Sequence, residues 1–372
     1  MRPEEELRYW VALSHVPFVG RARFQLLEQR LGSLKEAWRA PASRLKEAGL
    51  DDRATAVLVA VRARLDPDAE MERLARLGIH AFTWNDPEYP PRLKEIYDLP
   101  PVVFVKGTLL PEDERSVAVV GTRRASAYGR EVASLLSRDL AQHGVTVVSG
   151  LARGIDAIAH RAALEAGGRT IAVLGNGLDV VYPPEHAALA EEIAERGALV
   201  SEHPLGVRPE AKNFPRRNRI MSGMTLGTLV VEAPEGSGAL WTVRHALEQD
   251  REVFCVPGSI FSPTSRATNL LIQQGAKLVM DYRDVLEELN LAGTGEQLPL
   301  PALLSPTDDT EAVLLGRLSY EPLHIDEVRR QAGLPMPTVS STLAMMELKG
   351  LVKQVGAMRY VRTREVAAPY GG

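Results

Sequence analysis

The apolar positions follow two different rhythms along the chain. From residue 5 to about 62, Leu7, Trp10, Val11 and Leu13, then Phe24, Leu27, Leu31, Leu34 and Trp38, recur at intervals of three and four. That spacing lines one face of a helix, so a small helical module is expected over residues 1–65. Beyond Pro101 the rhythm becomes one of short runs rich in β-branched residues: Val102–Val105, Ser116–Val120, Val145–Val148, Thr170–Leu174, Ala198–Val200, Thr228–Val231, Val253–Val256 and Lys277–Met280. Enough chain for a helix separates successive runs, which is the pattern of a largely parallel sheet covered on both faces. An α/β core is therefore expected over 105–289, with residues 66–104 as a connector carrying several prolines and tyrosines. The stretch 290–309 holds glycine and proline without periodicity and reads as a linker. The last segment, 310–372, predicts helices at 311–318, 325–331 and 338–349 and two short β runs around Gly356, the order of a winged helix.

Composition narrows the class without changing this picture. A chain of 372 residues suits two or three domains. With 45% hydrophobic and 25% charged residues it is neither disordered nor a coiled coil. The longest stretch free of Asp, Glu, Lys and Arg, Gln331–Met346, has 16 residues and two prolines, which predicts no membrane span. Residues 1–6 are acidic where a signal peptide is basic, so a cytoplasmic location is expected. The single cysteine, Cys255, lies in an apolar run and reads as a buried strand residue; one thiol excludes intrachain disulfides and multi-cysteine metal sites. The net charge is −4, so any site for a polyanion must be a local concentration of cations.

Such concentrations occur where strands run into turns. Val117–Gly129 is a strand, a turn containing Gly121, and a helix start, a geometry that aims backbone amides at the carboxyl edge of the sheet and suits an anion. Arg123 and Arg124 add charge there, and Arg123 stands where a dinucleotide fingerprint would have its second glycine. Val147–Asp156 is a second turn of this kind, with Ser149 and Gly150. Asp156 and His160, four apart, share a helix face and read as capping and packing rather than a metal pair. Gly175-Asn-Gly177 is read as a loop only. Between Arg208 and Arg219 lie five cations, Arg208, Lys212, Arg216, Arg217 and Arg219, against one acid, Glu210. Phe214 sits among them, flanked by prolines and arginines, so its ring is expected at the surface. Cations that track a backbone beside an aromatic platform are what single-stranded nucleic acid requires.

Val230–Thr242 is a third strand, turn and helix unit able to close the same crevice, and it keeps a nucleotide-binding hydrolase as the alternative. No Walker A loop, nucleophile elbow or catalytic set is found, and no cofactor or metal is expected. Two features outside the core stay open. Val16-Pro-Phe-Val-Gly20 resembles a helix-hairpin-helix or sterile-alpha-motif-like turn, with Phe18 in place of the motif's second glycine; it reads equally as a phosphate-holding hairpin and as a plain turn. The helix at 338–349 has Lys349 as its one cation, which argues against reading of duplex DNA.

Four segments in order, Val120–Gly129, Ser149–His160, Asn213–Ile220 and Glu252–Gly258, resemble the DNA-processing protein A (DprA/Smf) family over about 150 residues. Thr122 stands where a serine is commoner in the family and keeps the hydroxyl. The resemblance implies a Rossmann-like core that binds single-stranded DNA, forms a homodimer through that core, and helps load the recombinase RecA onto strands taken up in natural transformation. It maps the DNA pocket to Gly121, Arg123, Ser149, Gly150, Lys212, Phe214, Arg217, Asn218 and Arg219, and implies no enzymatic activity.

Overall fold

The computed structural model of the protein describes residues 4–291, 309–349, 351–356 and 358–362. Residues up to 292 gather into one compact unit and those from 293 into a second. The first unit opens with the helices α1 (Glu4–Ser14), α2 (Arg21–Leu31), α3 (Leu34–Arg39), α4 (Ala42–Glu47) and α5 (Asp52–Arg62). Short polar residues start two of them: Ser33 Oγ accepts from the amide of Glu36, and Asp51 from that of Ala54 at 2.7 Å.

A helix α6 (Pro67–Arg76) and a strand β1 (Ile79–Thr83) follow, then β2 (Val102–Gly107), β3 (Ser116–Val120), β4 (Thr146–Ser149), β5 (Thr170–Leu174), β6 (Ala198–Ser201), β7 (Gly227–Val230), β8 (Glu252–Cys255) and β9 (Lys277–Leu278). These form one sheet in the order β1-β2-β6-β5-β4-β3-β7-β8-β9. The pairs β1–β2 and β2–β6 are antiparallel, and every other pair is parallel. Between the strands run α7 (Ala127–Gln142), α8 (Ile155–Glu165), α9 (Ala187–Arg196), α10 (Asn213–Met224), α11 (Ala239–Glu248) and α12 (Arg266–Gln273), and α13 (Tyr282–Glu288) follows β9. Helices α10, α11 and α12 cover one face, and α7, α8, α9 and α13 the other. Alternation within a strand feeds both layers: Ile171 and Val173 of β5 join one core, Ala172 and Leu174 the other. Cys255 is fully buried in β8, and burial pushes its thiol up to about 12.

The stretch 66–104, expected as a connector, holds α6, β1 and the first half of β2. Strand β1 has the period-two pattern Ile79, Ala81, Thr83 pointing inward, a signal short enough to be lost beside the prolines that follow. The helical module also shares its core with the sheet. Trp10, Leu13 and Phe24 belong to one apolar cluster with Phe104, Leu174 and Leu199, and the Trp10 ring meets Trp84 edge-on at 5.1 Å. A cut at residue 105 would therefore fall inside β2 and strip this cluster of its cover.

From β3 the chain steps through β4, β5 and β6 in one direction. It then crosses back by way of α10 to place β7 on the other side of β3. The strand order thus reverses between β3 and β7, and in open α/β sheets the carboxyl ends of strands at such a point leave a crevice.

The second unit contains α14 (Asp309–Leu315), β10 (Leu323–His324), α15 (Ile325–Ala332), α16 (Met336–Leu348), β11 (Val352–Gln354) and β12 (Arg359–Arg362). Its strands pair antiparallel in the order β10-β12-β11, and Leu314, Val328, Val339, Leu343 and Met346 form its core. This is the winged helix. Lys349 is held by Glu311 at 2.5 Å. Residues 292–308 of the expected linker 290–309, and residues 363–372, lie outside the described residues.

Candidate nucleic-acid interface

A cleft of about 680 Å³ opens at the β3/β7 reversal, walled by the loops after β3 and β4 and by the first turns of α10 and α11. Gly121 is required where β3 ends: a Cβ there would come within 2.6 Å of Ile155 and 2.8 Å of the Glu232 carbonyl. At Gly150 a Cβ would collide with the guanidinium of Arg217.

The helix-start amides expected to hold an external anion are already engaged. At the start of α7, the buried carboxylate of Glu232 accepts from the Ser126 amide at 2.9 Å and its hydroxyl at 2.6 Å, and from Thr264 Oγ1 at 2.9 Å. At the second turn, Asp156 accepts from the amides of Gly150 and Ala152 at 3.2 and 3.3 Å. The protein thus supplies its own carboxylates to amides of both turns. The Ser149 hydroxyl, fully buried, donates to the Val119 carbonyl at 2.6 Å and faces no solvent.

Burial raises the Asp156 carboxyl to about 6, against the opposing pull of the Arg217 cation and the two amides. The folded chain therefore holds this proton more tightly than the unfolded chain. The resulting stabilisation is complete below about pH 4 and is lost as pH rises through about 6. Asp156→Asn cannot ionise, so its unfolding free energy should gain on the parent's between pH 4 and 7, by at most about 3 kcal/mol. Denaturant titrations at a series of pH values check this; a constant offset between the two proteins would refute it. His160, on the same face of α8, is neutral: burial lowers it to about 3, and Nδ1 donates to Thr170 Oγ1 at 2.6 Å, whose own proton goes to Val147. The pair packs the helix, and no cluster of three metal-ligating side chains exists among the described residues.

What the cleft presents is cations and rings. Arg217, buried on α10, donates to the Gly150 carbonyl at 2.9 Å; desolvation lowers its guanidinium to about 10, where it is still charged at neutral pH. Phe214, one turn earlier, is half-buried. Its ring lies 5.6 Å from that of Tyr182 and has the guanidinium of Arg123 5.8 Å from its centre. Arg123 and Arg124 are exposed at the lip. Asn218 ties the two helix starts together by donating to the Gly238 carbonyl at 3.3 Å.

Residues 213–219 of this basic segment form the first two turns of a helix, which tolerates Pro215 because the first-turn amides have no intrahelical partner, and Arg208 and Lys212 precede it. The five cations face different ways. Arg217 enters the cleft, Arg216 points to another side, and Arg208 is exposed. Lys212 is exposed and paired with Glu210 at 2.6 Å, outside the cleft lining. Arg219 turns away: it is buried against Glu202 at 2.6 Å and Asp98 at 3.2 Å. Of the nine mapped residues, the structure brings Gly121, Arg123, Phe214, Arg217 and Asn218 into the lining, puts Ser149 and Gly150 behind it, and leaves Lys212 and Arg219 outside. Sequence reasoning passed over Tyr182, which braces Phe214, and Trp241, which is 46% exposed on the α11 wall. Both carry the signal that picked out Phe214, an aromatic set among turn residues.

Comparison with known proteins agrees with this architecture. A family model for DNA recombination-mediator protein A matches residues 80–290, and one for the DprA winged helix domain matches residues 298–358. The chain is 46% identical over 291 residues to Protein Smf of Escherichia coli strain K12, covering 77% of this chain and 78% of that one. The chain belongs to the DprA/Smf family. It is also 36% identical to Protein Smf of Synechocystis, across 96% of this chain and 99% of that protein. Among solved structures, DNA processing protein A (DprA) from Streptococcus pneumoniae superposes with a TM-score of 0.64 at 36% identity, over 77% of this chain and 99% of that one. DNA processing protein A from Helicobacter pylori, whose structure addresses that protein's single-stranded DNA binding mode, superposes at 0.52 and 25% identity, over 58% of this chain and 98% of that one. In this DprA/Smf chain the matched core contains the whole lining of the cleft.

Proposed function

We propose that this DprA/Smf protein is a non-enzymatic mediator of recombination that binds single-stranded DNA in the cleft between β3 and β7, protects incoming strands, and helps load RecA onto them during natural transformation. The observation that carries the DNA reading is the half-buried Phe214 ring, braced by Tyr182 and Arg123 in the same cleft as the buried cation of Arg217. Such a surface stacks a base of any identity and neutralises the neighbouring phosphates. Few cleft groups are placed to read base edges, so binding is nearly independent of sequence. The Helicobacter relative's DNA-binding mode supports the ligand, and the family's description as recombination mediators supports the RecA step.

Oligonucleotide titration at graded salt tests this directly. With three to five phosphates neutralised, log affinity should fall against log salt with a slope of roughly −2 to −3.5. A flat response, or a preference for blunt duplex, would overturn the reading. Incubation with labelled nucleotides addresses the hydrolase alternative: turnover would favour it, and tight oligonucleotide binding without turnover disfavours it.

The dimer of this proposal would form along the β9 edge of the sheet. Ile260 and Phe261, in the loop after β8, and Met280, just after β9, are between 70% and 90% exposed, and Leu278 of this short edge strand is also exposed. An edge with unpaired backbone and an apolar border is suited to another copy of itself.

A further inference from the structure

Phe18, in the turn between α1 and α2, departs from what folding alone would favour. Its ring is 54% exposed, and its backbone has φ +71°, a left-handed conformation costly for any residue but glycine. The strain is held in place: Arg23 donates to the Phe18 carbonyl at 2.7 Å and pairs with Asp51. Above the ring lies the guanidinium of Arg53, from α5, at 4.1 Å. A ring with an arginine against it is also found in the main cleft, where the half-buried Phe214 carries Arg123.

The two places adjoin. Phe18, Val19 and Gly20 line a second cleft of about 270 Å³, whose far wall includes His203 and Arg216. Arg216 stands in the first turn of α10 between Pro215 and Arg217, which both line the main cleft. One helix turn thus forms the ridge between the two clefts. Arg216 is more than half exposed and lies 3.6 Å from Glu202, whose closer partner is Arg219. Paired with Glu202 on one side, its guanidinium still presents its exposed side to a phosphate crossing the ridge.

We propose that the α1–α2 turn is a second stacking station for single-stranded DNA, so that one strand runs from Phe214 across Arg216 to the ring of Phe18 under Arg53. This rests on the cleft reading above and extends it to the helical module. The chemistry is the same in both places: an exposed aromatic face for a base and arginines for the backbone, neither specific for sequence.

The test uses the full chain and thymidine oligomers of graded length, with affinity and the number of nucleotides occluded per protomer as readouts. Phe214→Ala should weaken every length. Phe18→Ala should leave the shortest binding oligomers unaffected, weaken longer ones by about 5-fold or more, and reduce the occluded length. Arg53→Glu, an exposed helical substitution that spares the fold, should do the same. If Phe18→Ala and Arg53→Glu both bind and occlude like the parent while Phe214→Ala is impaired, the second station is refuted and the cleft reading stands. If Phe214→Ala is also unimpaired, both fail.

Discussion

Phe214→Ala is expected to lower the affinity for single-stranded oligonucleotides by about 1–3 kcal/mol, roughly 5- to 150-fold, while leaving the melting temperature nearly unchanged. The ring is half-buried against Tyr182 and Arg123, neither of which belongs to an apolar core, so its loss opens no cavity in the fold. Fluorescence anisotropy with a labelled strand, paired with thermal melting, separates the two effects. A protein that melts much earlier yet binds normally when folded would show that the ring serves packing instead. Arg217 makes a useful contrast. It is buried and bonded to the Gly150 carbonyl, so removing it would disturb both the turn and the binding.

The second large effect concerns strand length. In the proposed dimer, two clefts would engage one strand with a raised effective concentration, multiplying affinity by about 10²–10⁴ once the strand can bridge them. Phe261→Asp combined with Met280→Asp should convert the protein to a monomer and remove that gain on long strands. Neither residue lines the cleft, so affinity for strands too short to bridge should stay as it was. Both side chains are exposed, and the substitutions should cost little stability. Sedimentation alongside binding to short and long oligomers checks this; a variant that is monomeric yet binds long strands as tightly as the parent would show that bridging contributes nothing.

Much of the fold was legible because local patterns are sufficient for it. Eight strands were expected from eight apolar runs, and each run lies in the sheet, since a parallel strand covered on both faces must be apolar nearly throughout. The winged helix was legible for the same reason, its three helices having clear periodicity and limits. Strand β1 and helix α6 were missed as parts of the unit. Their pattern is short, and their burial depends on β2 and α1, partners distant in sequence.

The site was legible by composition but not by direction. The concentration of cations around Phe214 marked a segment that supplies Phe214, Arg217 and Asn218 to the cleft lining. That Arg217 enters the cleft while Arg219 meets Glu202 and Asp98 follows from their positions on α10 and from where the chain brings those acids. Likewise the glycine turns at 121 and 150 were recognisable as anion-binding geometry. Only the folded chain shows that Glu232, in the loop after β7 and 106 residues beyond Ser126, occupies the first, and that Asp156 closes the second.

For this protein, then, the order of residues determined the elements, the class of the sheet and the segment that gathers cations beside an aromatic ring, because each depends on neighbours within a few turns of chain. The tertiary structure decided which cations are available to a ligand, which anions the helix starts already hold, and that the helical module meets the cleft across α10. Those outcomes depend on charges and rings brought together from distant segments, and a buried charge is set by whichever partner the fold delivers to it.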